Sequence, residues 1–215
     1  MANTEVEFCG LNFKNPVVVA SIEPTNSPDL IKQCFDAGAG GAIVKTLTDI
    51  EDMAQLTQNS KYAVMNAQGK IIHGKPAKDF VFYSRSGYAS TAYKDWIPYL
   101  KECQAYGAER GAHLIGSVGA KEIGGWRDIS RTIEDCGLPM VELNFGCPHP
   151  AMMPGVHGGS MIGQDPEMAA EVTRQVAEVV DIPIVVKLTP DQADPVAIAR
   201  AVKGASEIIN DNRAT

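Results

Sequence analysis

The sequence of 215 residues lacks several features that indicate particular classes of protein. No apolar run approaches the roughly 20 residues that a membrane-spanning helix needs. The first five residues have neither the basic nor the apolar region of a secretory signal peptide. The 19 basic residues are outnumbered by 26 acidic ones, and the formal charge of −7 is opposite to that of a surface that binds nucleic acid. We therefore expect a cytoplasmic protein that binds neither membranes nor nucleic acid.

Motifs for metals, clusters and dinucleotides are also missing. The five cysteines are scattered without a closely spaced pair, which argues against an iron–sulfur or zinc site made by this chain alone. An odd number of cysteines without a secretory signal is typical of reduced thiols in the cytosol. No glycine-rich dinucleotide fingerprint and no phosphate-binding loop follows a predicted strand. His149 and His157 have no carboxylate placed beside them, so no metal site is expected.

What the sequence does contain is an alternation of strand-like and helix-like segments. It begins with a predicted β-hairpin that turns at Gly10. Three later segments, Ser27-Pro28, Asp165-Pro166 and Asp194-Pro195, each place an N-cap residue before a proline at the first helical position. The predicted strands cover residues 17–21, 41–46, 113–119, 141–145 and 182–188, and a sixth begins at residue 208. This repeat predicts an α/β fold with a parallel sheet and crossover helices, in which the strand over 17–21 is buried on both faces.

Two α/β architectures fit this repeat, namely a doubly wound open sheet and a TIM-type (β/α)₈ barrel. Polar residues end at least four successive predicted strands, whereas an open sheet concentrates such residues at one switch point. The leading hairpin also suits the bottom of a barrel. We therefore expect residues 1–215 to form a single barrel domain. A complete barrel typically needs about 250 residues, so we expect this one to be incomplete at its C-terminus by about two βα units.

The segment from Leu47 to Ser90 is polar, contains several glycines and shows little periodicity. An irregular loop of this length predicts a lid or a substrate wall, and its aromatic end over residues 80–88 suits the covering of a planar ligand. The alternative interpretation is a packed excursion with small strands.

The candidate site consists of polar residues at the ends of predicted strands. Asn144 ends the fourth strand and Cys147 follows it, while Lys45, Thr46 and Lys187 end two others. Uncompensated burial of a charge is costly, so lysines at the ends of buried strands indicate a site. The thiol could act as a nucleophile or as a general acid or base. The lysines could form Schiff bases, bind phosphate or stabilise negative charge on a cofactor.

Several stretches, in consistent order and spacing, carry a resemblance to one family: Asn15-Pro16 with Ala20-Ser21, Lys45-Thr46, residues 144–149, residues 163–167 and residues 187–190. Together they resemble the FMN-binding barrel of dihydropyrimidine dehydrogenases, which is closely related to that of dihydroorotate dehydrogenases. His149 after Cys-Pro resembles the dihydropyrimidine branch, since many dihydroorotate enzymes have asparagine there. Gly146 departs from that branch, which has serine at this position.

The resemblance implies FMN at the carboxyl ends of the strands. It implies chemistry on the 5,6 C–C bond of a dihydropyrimidine such as dihydrouracil or dihydrothymine, with hydride passing to the flavin and the proton handled by a loop residue. By position, it implies that Cys147 is catalytic, with His157 as a second candidate. It further implies flavin contacts at Ala20, Ser21, Lys45, Thr46 and Lys187, and substrate contacts at Asn144, Ser84 and Asn212. It also implies an oligomer and an electron-transfer partner subunit that carries NAD(P)H, FAD or iron–sulfur sites.

Two alternatives stay open. The first is a dihydroorotate dehydrogenase of pyrimidine biosynthesis, which differs from the first interpretation in substrate. The second is a non-catalytic barrel remnant or interaction subunit. The glycine at position 146 and the atypical C-terminal residues favour this second alternative.

Overall fold

The computed structural model of the chain describes residues 4–75, 78–152, 155–190 and 193–213, with the side chains of residues 151–152 and 206–213 outside that description. In this part of the chain the strands are β1 Val6–Phe8, β2 Leu11–Phe13, β3 Val18–Val19, β4 Gly41–Ile43, β5 Lys61–Met65, β6 Val81–Arg85, β7 His113–Val118, β8 Val141–Asn144 and β9 Ile184–Lys187. The α-helices are α1 Pro28–Asp36, α2 Glu51–Gln58, α3 Ile97–Ala108, α4 Ile123–Asp135, α5 Pro166–Ala177 and α6 Pro195–Arg213.

The central sheet contains five parallel strands in the order β3-β4-β7-β8-β9. Ala42 of β4 pairs with Leu114 of β7, and Asn144 of β8 pairs with Lys187 of β9. Each strand therefore lies beside the next parallel strand along the chain. A doubly wound sheet would reverse this order at a switch point, so the uninterrupted succession favours the barrel architecture that the sequence predicts.

The helix starts follow the predicted capping pattern. The Ser27 side chain accepts a hydrogen bond from the Leu30 amide at the start of α1. The Asp165 carboxylate accepts from the amides of Glu167 and Met168 at the start of α5. In both helices proline occupies the first turn, where its missing N–H has no intrahelical partner to lose. None of the helices in the described ranges combines the length and the apolar character needed to cross a bilayer.

The main core lies between one face of the sheet and the helices. Leu114 and Leu143 on this face are fully buried and belong to the same cluster as Trp126 and Ile133 of α4. Gly116 of β7 lies directly under Ile133, and a Cβ at this glycine would come within 2.5–2.8 Å of the isoleucine side chain. The absence of a side chain at Gly116 therefore allows α4 to pack closely on the sheet.

The opposite face of the sheet changes from apolar to polar along the strands. Near the amino ends of the strands it is lined by Ile43, Ile115, Met140 and Val185. Two residues further along β7, β8 and β9, on the same face, it is lined by Ser117, Glu142 and Lys187, with Asn144 after Glu142. Side chains two residues apart on a strand share a face. The strand period therefore places a polar layer at the carboxyl rim, directly above an apolar layer.

The N-terminal hairpin closes the apolar end of this face, as predicted. Cys9 and Gly10 form its two-residue turn with φ values of 51° and 74°, the left-handed conformation that tight hairpin turns require. Phe13 of β2 is buried in the cluster with Ile115 and Met140. The hairpin therefore covers the end of the sheet opposite the candidate site.

Two predicted strands differ from the structure: the first is shorter and more exposed than predicted, and the sixth is part of a helix. The segment over residues 17–21 is an edge strand of two residues, and Val17 and Val18 are exposed because β3 pairs only with β4 in the described sheet. The sixth strand predicted from residue 208 lies instead within α6. The apolar positions 198, 202, 205 and 209 repeat at helical spacing, which explains why the helix continues.

The region between Leu47 and Ser90 is not an irregular loop but contains the small strands of the alternative interpretation, although every residue of β6 is exposed rather than packed. Its role as a lid or substrate wall stays a prediction. It contains α2, anchored by the buried Met53, and the antiparallel hairpin β5–β6. Tyr62 and Phe82 stack on one face of this hairpin, at 6.1 Å between ring centroids. Apolar residues occupy both faces of the hairpin, so the sequence shows no clear alternation.

Candidate active site

A chain of hydrogen-bonded side chains crosses the carboxyl rim of the sheet. Its hub is Thr46, whose hydroxyl lies 3.1 Å from the Ser21 hydroxyl and 3.0 Å from the Ser117 hydroxyl. The Asn144 side-chain amide donates to the same Thr46 oxygen at 3.0 Å. Ser117 in turn donates to Oε1 of Glu142 at 2.8 Å. All of these residues except Ser21 are buried, so the network forms a fixed polar floor for the rim.

An ion pair extends this network to the last strand of the sheet. Nζ of Lys187 lies 3.3 Å from Oε1 of Glu142, and the two side chains are 37% and 5% exposed. The β8–β9 register places Lys187 beside Asn144, so its side chain reaches diagonally across to Glu142. Lys187 is therefore anchored on a buried carboxylate, while more than a third of its side chain reaches solvent at the rim.

A second lysine is held on the other side of the rim. Lys45 is buried, and its Nζ lies 3.2 Å from Oε1 of Glu23, in the short 3₁₀ segment that follows β3. Its backbone amide donates to the Thr25 carbonyl at 2.9 Å. Burial raises the pKa of the Glu23 carboxyl, but the Ser86 hydroxyl, the backbone and the Lys45 ammonium together hold it below its ordinary value. Glu23 is thus a carboxylate at neutral pH and pairs with a charged lysine.

Cys147 lies in the loop that leaves β8, and backbone contacts fix this loop. The Gly146 amide donates to the side-chain oxygen of Asn144 at 3.2 Å. The Cys147 carbonyl accepts from the Ser160 amide at 2.8 Å. Gly159 has φ of 57° and lies against the same carbonyl, where a Cβ would collide with it. The loop is therefore closed on itself around Cys147.

The Cys147 thiol lies between an apolar cluster and the charged groups of the rim. The cluster consists of Ile50, Met53, Tyr88 and Val156. Burial raises the pKa of the Cys147 thiol, although the backbone amide of His149, the Tyr88 hydroxyl and the charges of Lys187 and Lys45 all act to lower it. Lys45, Cys147 and Lys187 follow or end β4, β8 and β9, which are parallel strands of one sheet, so the structure brings them to the same rim.

His149 is the nearest titratable partner of the thiol. Its Nδ1 lies 3.6 Å from Sγ of Cys147. Burial lowers the pKa of His149, and the charges of Arg85 and Lys45 lower it further. The imidazole is therefore neutral at pH 7 and can accept a proton or a hydrogen bond. Arg85 is the last residue of β6, so the end of the β5–β6 hairpin reaches the site.

The rim brings together six of the ten residues that the sequence predicts for the site: Ser21, Lys45, Thr46, Asn144, Cys147 and Lys187. Ala20 precedes Ser21 and is exposed, and its carbonyl accepts from the Thr25 hydroxyl at 3.4 Å. Ser84 is exposed on β6, opposite Tyr62. His157 is also exposed, with its amide 3.4 Å from the Lys121 carbonyl. Asn212 belongs to α6, at a position whose side chain lies outside the described residues.

Four residues of the site were not identified from the sequence: Ser117, Glu142, Glu23 and Tyr88. A signal for Glu142 exists, because it lies two residues before Asn144 in an apolar strand and therefore on the same face. Ser117 has the corresponding position in β7. Glu23 and Tyr88 carry no such signal, since their approach to Lys45 and Cys147 depends on how the loops fold over the rim.

Comparison with known proteins establishes the family. The sequence model of the family described as "Dihydroorotate dehydrogenase" matches residues 3–212 of the chain. The chain belongs to the dihydroorotate dehydrogenase family. This confirms the family resemblance, and with it the (β/α) barrel class, of which the five-stranded sheet forms an incomplete part.

Curated relatives of this family member come from both branches. The chain is 25% identical over 198 residues to the NAD-dependent dihydropyrimidine dehydrogenase subunit PreA of Escherichia coli (strain K12), covering 92% of the chain and 44% of that protein. It is 25% identical over 201 residues to the catalytic subunit of dihydroorotate dehydrogenase B (NAD(+)) of Methanocaldococcus jannaschii, covering 94% of the chain and 59% of that protein. The chain thus spans about half the length of these relatives, and the two branches are matched equally.

A solved structure of a 2-naphthoyl-CoA reductase in complex with 2-naphthoyl-CoA is similar to this family member in fold. The TM-score is 0.57 at 10% identity, and the match covers 95% of this chain and 38% of that chain. At this identity the likeness shows the fold alone. In barrels of this class ligands bind at the carboxyl ends of the strands, which is the rim that carries Cys147 and the two lysines.

Proposed function

We propose that this protein is the FMN-dependent unit of an oxidoreductase that acts on the 5,6 C–C bond of a dihydropyrimidine of the dihydrouracil or dihydrothymine type. The main support is the convergence of the Cys147 thiol, the Asn144 amide and the ammonium groups of Lys45 and Lys187 on one rim of the sheet. Membership of the dihydroorotate dehydrogenase family supports a flavin-dependent dehydrogenase, and the similarity to a dihydropyrimidine dehydrogenase subunit and to a dihydroorotate dehydrogenase leaves both substrates to be tested. In this proposal residues 1–215 act as one barrel domain.

The groups at the rim fit FMN. The flavin ring presents carbonyl oxygens and ring nitrogens along one edge and gathers negative charge when it is reduced. Each lysine ammonium has three donor hydrogens and one carboxylate partner among the described residues, so donors remain for a ligand. Lys45, Lys187, Thr46, Ser21 and the backbone at Ala20 would hold the ring. When bound, FMN supplies the hydride chemistry of the reaction.

Asn144 suits recognition of a pyrimidine ring. Its amide nitrogen donates to Thr46 and its oxygen accepts from the Gly146 amide, which fixes the orientation of the side chain. One donor hydrogen and one acceptor lone pair remain, and these match the alternating donors and acceptors of a pyrimidine edge. We assign the substrate contact to Asn144, and further contacts to Ser84 and Asn212.

Cys147 is the proposed carrier of the proton at C5 of the substrate. Because burial raises the pKa of the thiol, Cys147 is protonated at neutral pH and suits a proton donor to C5 in the reductive direction. In the oxidative direction its thiolate accepts the C5 proton. Neutral His149, 3.6 Å away, can exchange this proton with solvent. His157 stands as the second candidate for this role.

We also propose an oligomer in which a partner subunit delivers or removes electrons through NAD(P)H, FAD or iron–sulfur centres. The support is twofold. The motifs for a dinucleotide or a cluster are missing from this sequence. Two relatives are named as subunits of NAD-dependent enzymes.

The first experiment concerns the cofactor and the substrate. The purified protein is denatured, and any released flavin is identified by chromatography. Flavin absorbance is then followed without oxygen after addition of dihydrouracil or dihydroorotate. We expect FMN, and loss of its absorbance with dihydrouracil. Loss with dihydroorotate alone would establish the alternative of a dihydroorotate dehydrogenase, a branch to which the chain is as similar as it is to the dihydropyrimidine branch. Failure to bind FMN would favour the non-catalytic alternative.

The second experiment concerns the proton carrier. Cys147→Ala is expected to bind FMN with unchanged affinity, measured by quenching of flavin fluorescence, and to lose about 10²-fold or more in turnover. His157→Ala tests the second candidate in the same assay and is expected to keep normal turnover. The reverse result would transfer the proton-carrying role to His157.

A further inference from the structure

The candidate site contains a buried polar group that the proposed function does not use, the phenol of Tyr88. Tyr88 follows the β5–β6 hairpin and is 2% exposed. Its hydroxyl has no regular hydrogen-bond partner in the part of the chain that the structure describes. A buried hydroxyl without a partner is costly and uncommon. Such a group beside a reactive residue calls for a functional explanation.

Packing fixes the position of the Tyr88 ring. One side belongs to the apolar cluster of Ile50, Met53 and Val156. The other side lies on Gly119, where a Cβ would come within 2.6–2.9 Å of Cε2, Cζ and Oη of the tyrosine. The Tyr88 carbonyl accepts from the Thr57 hydroxyl at 2.5 Å, and the next amide, of Ala89, donates to the Thr46 carbonyl at 2.8 Å. The direction of the hydroxyl is therefore set by the fold.

The Cys147 side chain packs against the apolar cluster that contains the Tyr88 ring, so the phenol and the thiol are neighbours. Burial raises the pKa of the phenol well above its ordinary value, and the interaction with Cys147 raises it further. The phenol therefore keeps its proton at neutral pH and can donate a hydrogen bond to a thiolate. The charged groups that act on the thiol are Lys187 and Lys45, while His149 acts through its backbone amide and has its imidazole Nδ1 3.6 Å from the sulfur.

We propose that Tyr88 is a positioning residue whose hydroxyl donates a hydrogen bond to the Cys147 thiolate and stabilises the cysteine after it has lost its proton. This inference rests on the proposed acid/base role of Cys147. When the thiol gives its proton to C5 of the substrate, the thiolate gains the phenol as its donor. In the reverse direction the proton returns to sulfur, and the phenol hydrogen stays on its own oxygen throughout.

The test is the pH dependence of Cys147 alkylation by iodoacetamide in Tyr88→Phe. Only the thiolate reacts at an appreciable rate, and mass spectrometry follows the peptide that contains Cys147 separately from the other cysteines. Phenylalanine keeps the ring on Gly119 and removes only the hydroxyl. The expected result is that the midpoint of the curve of Cys147 alkylation rate against pH rises by about one pH unit. Alkylation of Cys147 at neutral pH then becomes roughly tenfold slower. Tyr93→Phe, a half-buried tyrosine packed against the main core, is the matched control and is expected to leave the midpoint unchanged.

An unchanged midpoint in folded Tyr88→Phe would overturn the proposal. Circular dichroism and urea unfolding establish that the variant is folded. If it is not, 3-fluorotyrosine at position 88 replaces it, because this residue keeps the ring and makes the hydroxyl a stronger donor. It is expected to lower the midpoint, and an unchanged midpoint in that protein would again overturn the proposal.

The alkylation measurement needs neither FMN nor substrate, so it separates this inference from the proposed function. A shifted midpoint together with normal turnover of Cys147→Ala would retain the tyrosine–thiolate pair and refute the acid/base role of Cys147. An unshifted midpoint together with stalled turnover of Cys147→Ala would refute the tyrosine–thiolate pair and retain the acid/base role of Cys147.

Discussion

The carboxylate of Glu142 lies 3.3 Å from the ammonium of Lys187, on adjacent strands of the sheet and on its polar face. The two partners are unequally buried, at 5% and 37% exposed. Glu142 also accepts the hydroxyl of Ser117, so it links the lysine to the network around Thr46. The position of a candidate cofactor-binding lysine is therefore set by a glutamate that has no proposed contact with a ligand.

Because the two side chains differ in burial, substituting Lys187 and substituting Glu142 are expected to lower the free energy of unfolding by different amounts. Lys187→Met leaves a buried carboxylate without its cation and is expected to lower the free energy of unfolding by about 2–3 kcal/mol. This loss is smaller than for a fully buried ion pair because Lys187 is partly solvated. Glu142→Gln keeps an acceptor for Ser117 and leaves an ammonium that water can solvate, so about 1 kcal/mol is expected. Urea unfolding measures both values. If Glu142→Gln lost more unfolding free energy than Lys187→Met, the argument that the buried carboxylate depends on the lysine would be refuted.

Thr46 is expected to be a structural hub as well as a candidate ligand contact. Thr46→Val removes the acceptor of the buried Asn144 amide at nearly constant volume, so a loss of about 1–3 kcal/mol in unfolding free energy is expected. Thr173→Val is the control, because the Thr173 hydroxyl donates to a helix carbonyl that keeps its helical partner. About 0.5 kcal/mol or less is expected there. If Thr46→Val and Thr173→Val lost equal unfolding free energy in urea, the hydrogen-bond network at the rim would contribute no more to stability than the control hydroxyl.

Two glycines of the site, Gly146 beside Cys147 and Gly119 beside Tyr88, are expected to differ in their tolerance of a side chain. A Cβ at Gly146 would lie 3.6–3.7 Å from Thr189 and Leu188, an ordinary contact, so Gly146→Ser should change the unfolding free energy by about 0.5 kcal/mol or less. A Cβ at Gly119 would overlap the Tyr88 ring, so Gly119→Ala should cost about 1–3 kcal/mol. A destabilised Gly146→Ser would contradict the described geometry of the loop. Gly146→Ser also tests whether the serine of the dihydropyrimidine branch affects turnover.

His149 is expected to contribute to the pH dependence of stability. Its pKa in the folded chain is below the ordinary value of 6.5, so below about pH 6.5 the unfolded chain binds more protons than the folded one. Stability should therefore fall as the pH falls through this range. In His149→Asn that fall should be smaller, measured as the difference in urea unfolding free energy between wild type and variant from pH 7.5 to pH 5. His157→Asn, at an exposed position, is the control. If the unfolding free energies of the wild type and of His149→Asn changed in parallel with pH, protonation of His149 would not contribute to the pH dependence of stability.

The candidate site was largely predictable from the sequence because its residues lie at the ends of strands. Lys45, Thr46, Asn144 and Lys187 each interrupt an apolar strand pattern, and Cys147 follows a strand end. Parallel strands place their carboxyl ends on one rim, so these residues had to meet if the strands were correctly identified. The same logic failed at residue 208, where a short apolar run fits a strand and a helix equally well.

The sequence by itself determined the order of the parallel strands of the central sheet, the capped helix starts, the N-terminal hairpin and the polar residues at the strand ends. These follow from local rules, namely a period of two in strands, capping residues and turn geometry. Only the tertiary structure decided that Glu142 holds Lys187, that Glu23 holds Lys45 and that Tyr88 lies against Cys147. Those pairs are separated along the chain by intervening elements, and their contact depends on sheet register and on how the loops fold over the rim, which no local pattern encodes.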